Sequence, residues 1–253
     1  MLSVIIWWVG ISLEALIVLR VFQNRLFSRY PFFYAYILLV LASTSTLYAI
    51  NVVAPQDYRD CYWAADGLTL IAGYGIILEI LKNVLSPYPG AERFARISGL
   101  VVFGAIFSFV IVYPWAVPGA SLAGTMFELE RDLRGVQAIF LFGTLVVVSH
   151  YGIAMGRNMK GMIFGYGLYV GSSLMTLATR SYAGDSFYNI LKIVQPLSWN
   201  ISLVIWASAL WSFYPNPAPR PAIRLEEDYE IFASRTRDTV GAMRSYLVRV
   251  PRP

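Results

Sequence analysis

Long apolar segments separated by short polar turns dominate the pattern of hydrophobic and polar positions along this chain. Each segment has about 20 residues, the length that a helix needs to cross a hydrocarbon core of about 30 Å. A membrane β-barrel would instead show short segments of alternating polarity. The pattern therefore predicts an all-α fold, a polytopic bundle of seven transmembrane helices that occupies residues 1–214. The spans are expected at about 2–21, 31–53, 62–81, 97–117, 136–156, 161–179 and 190–213.

The remainder of the chain, residues 215–253, has a different pattern. Prolines in the stretch FYPNPAPRP end the last apolar segment, because proline cannot continue a helix. Positions at alternating spacings of four and three then predict an amphipathic helix over about 224–250. Two uses for this helix stay open: packing under the bundle or on the lipid surface, or binding a protein partner or a second copy. The positions are Leu225, Tyr229, Phe232, Thr236, Thr239, Met243, Tyr246 and Val250.

Composition and charge agree with a membrane protein. The 253 residues are 57% hydrophobic and 14% charged, with a mean hydropathy of +0.57, outside the usual balance of a soluble domain. The lipid bilayer is therefore the expected surrounding. Of the 20 lysines and arginines, 15 fall in the tail and in alternate turns on one side, which predicts an outside N-terminus and a cytoplasmic tail. The net charge of +5 is thus a topology signal and does not indicate nucleic acid.

Three polar side chains are predicted deep inside the spans. Counting about 1.5 Å per residue from the outer end of each span, Glu14 lies about 18 Å deep, His150 about 21 Å and Asn200 about 15 Å. Ionisable groups at such depth are candidates for function. One interpretation is a shared, proton-sensitive polar layer. The other is that each side chain hydrogen-bonds a neighbouring helix and fixes the packing.

Other charged residues are expected near the membrane surfaces. Asp66 and Lys192 have matching depths close to the outer surface, so they are predicted to pair, or Lys192 to extend to the headgroups. A retinal protein would need its lysine about halfway down span seven, where this chain has Trp199. Glu79 and Lys82 share a helix face at the inner end of span three and are expected to form a solvated pair.

Candidates for catalysis or cofactor binding are sparse in the sequence. The chain has one histidine and one cysteine, and no nucleophile, base and orienting group can be assembled around them. A haem held by two histidines and a cysteine-built metal site are excluded on the same count. The sequence therefore predicts a protein that is not an enzyme, with no cofactor and no metal.

Glycines at four-residue spacing mark the sixth span, in the stretch GMIFGYGLYVG. Gly161 is followed by Gly165, and Gly167 by Gly171. Small residues at this spacing allow a neighbouring helix to approach closely. We therefore expect this span to pack tightly inside the bundle.

Three stretches, SRYPFFYAYILLV, ILEILKNVLSPYPGAERFAR and LRGVQAIFLFG…GRNMKGMIFGYGLYV, resemble a group of uncharacterised bacterial seven-span membrane proteins. The resemblance implies the architecture and a multi-pass location in the inner membrane, but no chemistry. The leading hypothesis is a non-enzymatic sensor, signalling or scaffold protein in which a ligand or a protonation change in the bundle shifts the tail helix. The alternatives are a small-solute or proton-coupled transporter that uses Glu14, His150 and Asn200, and a structural subunit of a membrane complex.

Overall fold

The computed structural model describes residues 2–24, 26–116, 122–183, 185–218 and 224–249. These residues form eight α-helices and one short 3-10 turn, Leu26–Ser28. The prediction of an all-α fold is confirmed. The helices are α1 (Leu2–Asn24), α2 (Pro31–Val53), α3 (Tyr58–Leu85), α4 (Pro89–Ala116), α5 (Leu122–Tyr151), α6 (Arg157–Ala183), α7 (Asp185–Ala209) and α8 (Leu225–Arg249).

Within the described residues, four helices are long and apolar enough to cross a membrane. They comprise α2, α3, the Glu130–Tyr151 part of α5 and the Arg157–Thr179 part of α6. Many of their apolar side chains are exposed on the outside of the fold, among them Phe142 and Phe164. Exposed apolar helices of this length are typical of proteins that use the bilayer as their solvent. The protein is therefore a membrane-embedded helical protein.

The helices α1 to α7 pack around one another in chain order. Each contacts the next one along the chain, and α7 returns to α1. The α3 helix also contacts α5 and α6. The tail helix α8 packs against α4. This arrangement brings α1 and α7, the two ends of the bundle, into direct contact.

Aromatic rings fill the centre of the bundle between α2, α6 and α7. The ring of Trp199 lies 4.7 Å from that of Tyr169, 5.6 Å from that of Trp206 and 6.1 Å from that of Tyr36, measured between centroids. Trp206 in turn packs edge-on against Phe33 at 5.1 Å. Edge-to-face contacts at such distances stabilise aromatic pairs beyond their burial. The cluster fixes the position of α7 against α2 and α6.

The glycines of α6 explain its close approach to α7. A Cβ atom on Gly161 would collide with Ala209, and one on Gly165 would collide with the ring of Trp206. At Gly167 and Gly171, by contrast, a Cβ atom would have no neighbour within 4 Å. The sequence pattern indicated a tight helix contact for both glycine pairs, but only Gly161 and Gly165 lie in one.

The end of α5 differs from the sequence prediction. Span five was expected at 136–156, whereas α5 covers Leu122–Tyr151. Gly152 follows with a φ of +62°, and the N–H of Ile153 bonds to the carbonyl of Val148 at 3.0 Å. A left-handed glycine with this return bond is a common way to end a helix. The glycine ends the helix before the apolar pattern does, so residues near 150 lie at the helix end.

We predict opposite effects of alanine at the two kinds of glycine in α6. Gly165→Ala places a methyl group against Trp206 and should lower the free energy of unfolding by about 1–3 kcal/mol, the usual cost of overpacking. Gly171→Ala, which meets open space, should leave it unchanged or raise it by up to about 1 kcal/mol through helix propensity. Thermal unfolding of the purified protein in mild detergent measures both. Equal effects would contradict the assigned α6–α7 contact.

Candidate functional site

The carboxylate of Glu14 on α1 lies inside the bundle, with 2% of the residue exposed. Its Oε1 accepts a hydrogen bond of 2.8 Å from the indole N–H of Trp199 on α7. Its Oε2 is buried and has no hydrogen-bond partner in the part of the chain that the structure describes. Glu14 is therefore half-satisfied, an unusual state for a buried carboxylate.

Asn200 joins the same two helices about one turn away from Glu14 along the interface. Its side-chain amide donates to the backbone carbonyl of Ile6 at 2.8 Å. A Cβ atom on Gly10 would lie 2.9 Å from the Asn200 Oδ1, so only glycine allows this close approach. The structure thus places Glu14 and Asn200 in the same α1–α7 contact. The hydrogen bonds Trp199–Glu14 and Asn200–Ile6 join the two helices.

His150 does not share this layer. Its side chain is exposed in the last turn of α5, and its ring packs edge-on against Tyr151 with 4.8 Å between centroids. The expected depth of about 21 Å was counted from residue 136 and left several residues of the span beyond His150. The part of α5 that is long and apolar enough to cross a membrane is instead Glu130–Tyr151, and Gly152 follows it in a left-handed conformation, so His150 lies next to the end of the helix. The structure therefore corrects the predicted set of three to a pair, Glu14 and Asn200, with Trp199 as the added partner.

A second polar cluster surrounds Arg134 in α5, of which 3% is exposed. The Arg134 Nε donates to the Glu130 Oε1 at 3.0 Å, and its Nη2 donates to the Tyr169 hydroxyl at 3.2 Å. Asp66 on α3 interacts electrostatically with both Arg134 and Glu130. Arg134 is thus bonded to Glu130 by a charge-assisted hydrogen bond, and Asp66 from a second helix adds a further negative charge in its surroundings.

The predicted pair of Asp66 and Lys192 stays a prediction. Among the described residues, Arg134 and Glu130 are charged neighbours of Asp66. The side chain of Lys192 lies outside the described residues. Arg134 was assigned to a loop because span five was expected to begin at residue 136, but α5 already begins at Leu122. The four-residue spacing of Glu130 and Arg134, typical of a helical ion pair, was the signal that could have revealed the cluster.

Gln137 continues the polar cluster one turn further along α5. It is fully buried, and its Nε2 donates to the carbonyl of Leu70 at 3.3 Å. Its Oε1 is buried without a partner among the described residues. Gly73 lies beside it, where a Cβ atom would collide with the Tyr166 hydroxyl. Polar groups of α3, α5 and α6 therefore meet in the interior of the bundle.

Glu79 on α3 has a structural role that the sequence did not indicate. It was expected to form a solvated pair with Lys82, but 3% of it is exposed. Its two oxygens accept the backbone N–H groups of Phe32 at 3.2 Å and Phe33 at 2.9 Å, in the first turn of α2. Burial and the nearby Glu79 carboxylate raise the pKa of Tyr30, just before α2. The carboxylate caps a helix on another segment, where unsatisfied N–H groups and the helix dipole favour a negative charge.

Comparison with known proteins adds no assignment to this geometry. No protein-family model matches the chain, and no curated protein and no solved structure matches it either. The class that the structure itself defines is a membrane-embedded helical protein with two interior polar sites. The Glu14 site joins α1 to α7, and the Arg134 site joins α3, α5 and α6.

We predict that Glu79→Gln destabilises the bundle. An amide offers one acceptor oxygen in place of two, so one buried N–H group of α2 loses its partner. The expected loss is about 1–3 kcal/mol in the free energy of unfolding. The matched control is Glu230→Gln, because Glu230 is exposed on α8. Denaturant titration in mild detergent compares the two variants, and equal stability would show that the Glu79 cap contributes nothing.

Proposed function

We propose that the chain crosses the bacterial inner membrane seven times, with its N-terminus outside and α8 in the cytoplasm. Four helices are long and apolar enough to cross, and α1, α4 and α7 contain apolar segments of similar length that supply the other crossings. The concentration of lysine and arginine in the tail and in alternate turns supports this orientation.

We further propose that the protein is a non-enzymatic sensor or signalling protein whose bundle controls α8. The observation that carries this proposal is the attachment of α8 to the start of α4. The Glu226 carboxylate accepts the backbone N–H of Gly90 at 2.7 Å and that of Ala91 at 3.5 Å. A carboxylate at a helix N-terminus bonds groups that have no partner within the helix. Since the contact is made by one side chain, it can be made and broken.

Apolar and polar contacts extend the attachment of α8 to two bundle helices. The rings of Tyr229 and Phe232 lie 6.2 Å and 6.3 Å from that of Phe94 on α4. On the other side, the Tyr151 hydroxyl at the end of α5 donates to the Asp228 Oδ2 at 3.0 Å. The first third of α8 therefore contacts both α4 and α5. A change in the distance between these two helices would alter the contacts that hold α8.

The remainder of α8 offers a surface on which a partner could bind. Beyond Phe232, its described side chains are mainly exposed, including the apolar Val240 and Met243, of which 58% and 62% are exposed. An amphipathic helix with an uncovered apolar face suits a protein partner or a second copy. One part of α8 is thus attached to the bundle, and the rest is available for binding.

The segment between α7 and α8 supports transmission of a shift in α7. Asn158 at the start of α6 is fully buried, and it donates to the carbonyls of Ala209 at 3.0 Å and Ser212 at 2.8 Å. Asn216 donates to a carbonyl of α3 at 3.1 Å. These bonds hold the end of α7 and the described residues that follow it, up to Asn216, against the bundle. A change at the Glu14–Trp199 bond would move α7 and, through this segment, α8.

We predict that Glu226→Gln loosens α8, whereas Glu227→Gln does not. Glu226 bonds the first turn of α4, but its neighbour Glu227 is exposed, so the two changes remove the same charge one residue apart. Losing the cap should cost about 0.5–2 kcal/mol and speed amide hydrogen exchange over residues 225–232 accordingly. Exchange in lipid nanodiscs measures this, and equal rates in the two variants would contradict the assigned contact.

The proposed role itself predicts that the tail is essential for the cellular output. A chain lacking residues 222–253 should reach the membrane yet reproduce the phenotype of cells that lack the whole protein. Glu14→Gln in the full chain should change hydrogen exchange in α8, because the Trp199 bond of Glu14 acts on α7. A truncated chain that restores every phenotype would refute the sensor role.

The Arg134 cluster supports a second candidate, a proton-coupled transporter. Arg134 faces both Glu130 and Asp66 inside the bundle, so one of the two carboxylates has no cation of its own within this group. Ionisable groups in such positions are frequent in proton relays of membrane transporters. Glu14, with one unpartnered oxygen among the described residues, offers a second place for a proton.

Proton flux in vesicles tests the transporter. Vesicles that contain the purified protein should show proton uptake under an imposed potential, and both Glu14→Gln and Asp66→Asn should abolish it by removing a carboxylate of each site. Asp132→Asn is the matched control, because Asp132 is exposed and its partner Arg131 is also accessible. Flux that survives both the Glu14 and the Asp66 substitution, or no flux in the unmodified protein, would exclude this candidate.

A further inference from the structure

A cavity of about 490 Å³ lies between α8 and the ends of α3, α4 and α5. Its volume is within the range of about 300–1,000 Å³ that is typical of small-molecule sites. The wall is mainly apolar, with Leu81 on α3, Phe94 on α4 and Phe140 on α5. Tyr229 and Phe232 of α8 form the remaining side. This cavity, the tail groove, thus lies between the bundle and α8, the helix that we propose the bundle controls.

The tail groove is elongated and runs along α5. Its α5 wall includes Ile139, Gly143, Val147 and Tyr151, which are spaced by four residues and so form one line on the helix surface. Twelve residues separate the first from the last, a length of about 18 Å at about 1.5 Å per residue. This length is close to half of a hydrocarbon core of about 30 Å. The groove therefore follows the depth of a single leaflet, ending at the side of α8.

The groove opens onto the outer surface of the bundle. At its deep end, Ile139 is 70% exposed. Exposed apolar side chains surround this opening, including Phe142 on the same helix and Val101 on α4. Since Glu130–Tyr151 is long and apolar enough to cross a membrane, this surface faces hydrocarbon in a bilayer. An occupant can therefore enter sideways from the lipid without crossing water.

The other end of the groove is polar. The hydrogen bond between the Tyr151 hydroxyl and the Asp228 Oδ2 lies there, at the last residue of α5. Tyrosine at the end of a span commonly lies at the level of the lipid headgroups. An occupant with one long apolar part and one polar end, aligned with the spans, matches this distribution.

We propose that the tail groove binds one acyl chain of a phospholipid from the leaflet on the side of α8. The chain lies along α5 beneath Tyr229 and Phe232, and the headgroup lies near Tyr151 and Asp228. This inference rests on the proposed sensor function and names its input: the bound chain supports α8 in its attached position. Leaflet composition or packing then controls how α8 is presented.

Gly143 provides a substitution that fills the groove. A Cβ atom on Gly143 would have no neighbour within 4 Å, so Gly143→Leu places its side chain in the groove space. Gly104 on α4 has the same open surroundings but does not line the groove, which makes Gly104→Leu the matched control. Ser98→Phe fills the groove from the α4 side and serves as a second variant if Gly143→Leu fails to fold.

The test uses the full-length protein in nanodiscs that contain a phosphatidylcholine with a photoreactive diazirine in the middle of one acyl chain. After illumination, peptide mass spectrometry locates the labelled residues. We expect labelling to concentrate on residues 139–147 and on residues 225–232. Gly143→Leu and Ser98→Phe should reduce labelling of 225–232 by about tenfold, the factor given by about 1.4 kcal/mol of lost binding. Gly104→Leu should leave it unchanged.

Two results would overturn the inference. One is equal labelling of all outward-facing apolar helices, which is expected of bulk lipid alone. The other is labelling of 225–232 that survives both groove-filling variants. Failure here is distinguishable from failure of the sensor function: if these results appear while removal of residues 222–253 still abolishes the cellular output, the lipid site is excluded and the sensor role stands.

Discussion

The need to satisfy the backbone at helix ends governs this structure. The first N–H groups and last carbonyls of a helix have no partner within it, and hydrocarbon supplies none. The protein solves this with side chains from other segments: Glu79 of α3 caps the start of α2, Asn158 of α6 holds the end of α7, and Glu226 of α8 caps the start of α4. Each cap joins segments distant in sequence, so it also fixes how helices are arranged.

The buried charges follow the same constraint with a different outcome. An isolated guanidinium in low dielectric has a large desolvation cost. Arg134 donates hydrogen bonds to Glu130 and Tyr169, which offset this cost. Glu14 is only half-satisfied, by Trp199. An arginine bonded by two side chains favours a rigid arrangement, whereas the Glu14 Oε2 has no hydrogen-bond partner among the described residues and can still accept a proton or a donor. The interior thus combines a fixed site between α3, α5 and α6 with a more adaptable one between α1 and α7.

Sequence patterns were sufficient for the all-α fold and insufficient for the bounds of α5 and the partners of its polar side chains. Apolar length predicted the helical fold, and spacing indicated that Gly161 and Gly165 allow a close helix contact. The position of His150 was misjudged because one backbone angle at Gly152 ends α5, a local event that hydropathy does not contain. Glu79 was taken for a solvated residue because its partners, the N–H groups of α2, come from a segment 46 and 47 residues away. Tertiary partners of this kind leave no periodic signal.

The attachment of α8 to the bundle consists of several individually weak contacts. A capping carboxylate contributes about 0.5–2 kcal/mol, and an exposed hydrogen bond such as Tyr151 to Asp228 adds about 1 kcal/mol at most. With 25 residues, α8 is longer than the roughly 12–15 residues below which isolated helices are marginal in water, so detachment does not require it to unfold completely. The contacts of Tyr229 and Phe232 with Phe94 add about 0.5–1.5 kcal/mol each. The proposed sensor role therefore needs an input in the bundle that weakens several of these contacts together. The buried Glu79 and Asn158 cap helices inside the bundle and keep it intact.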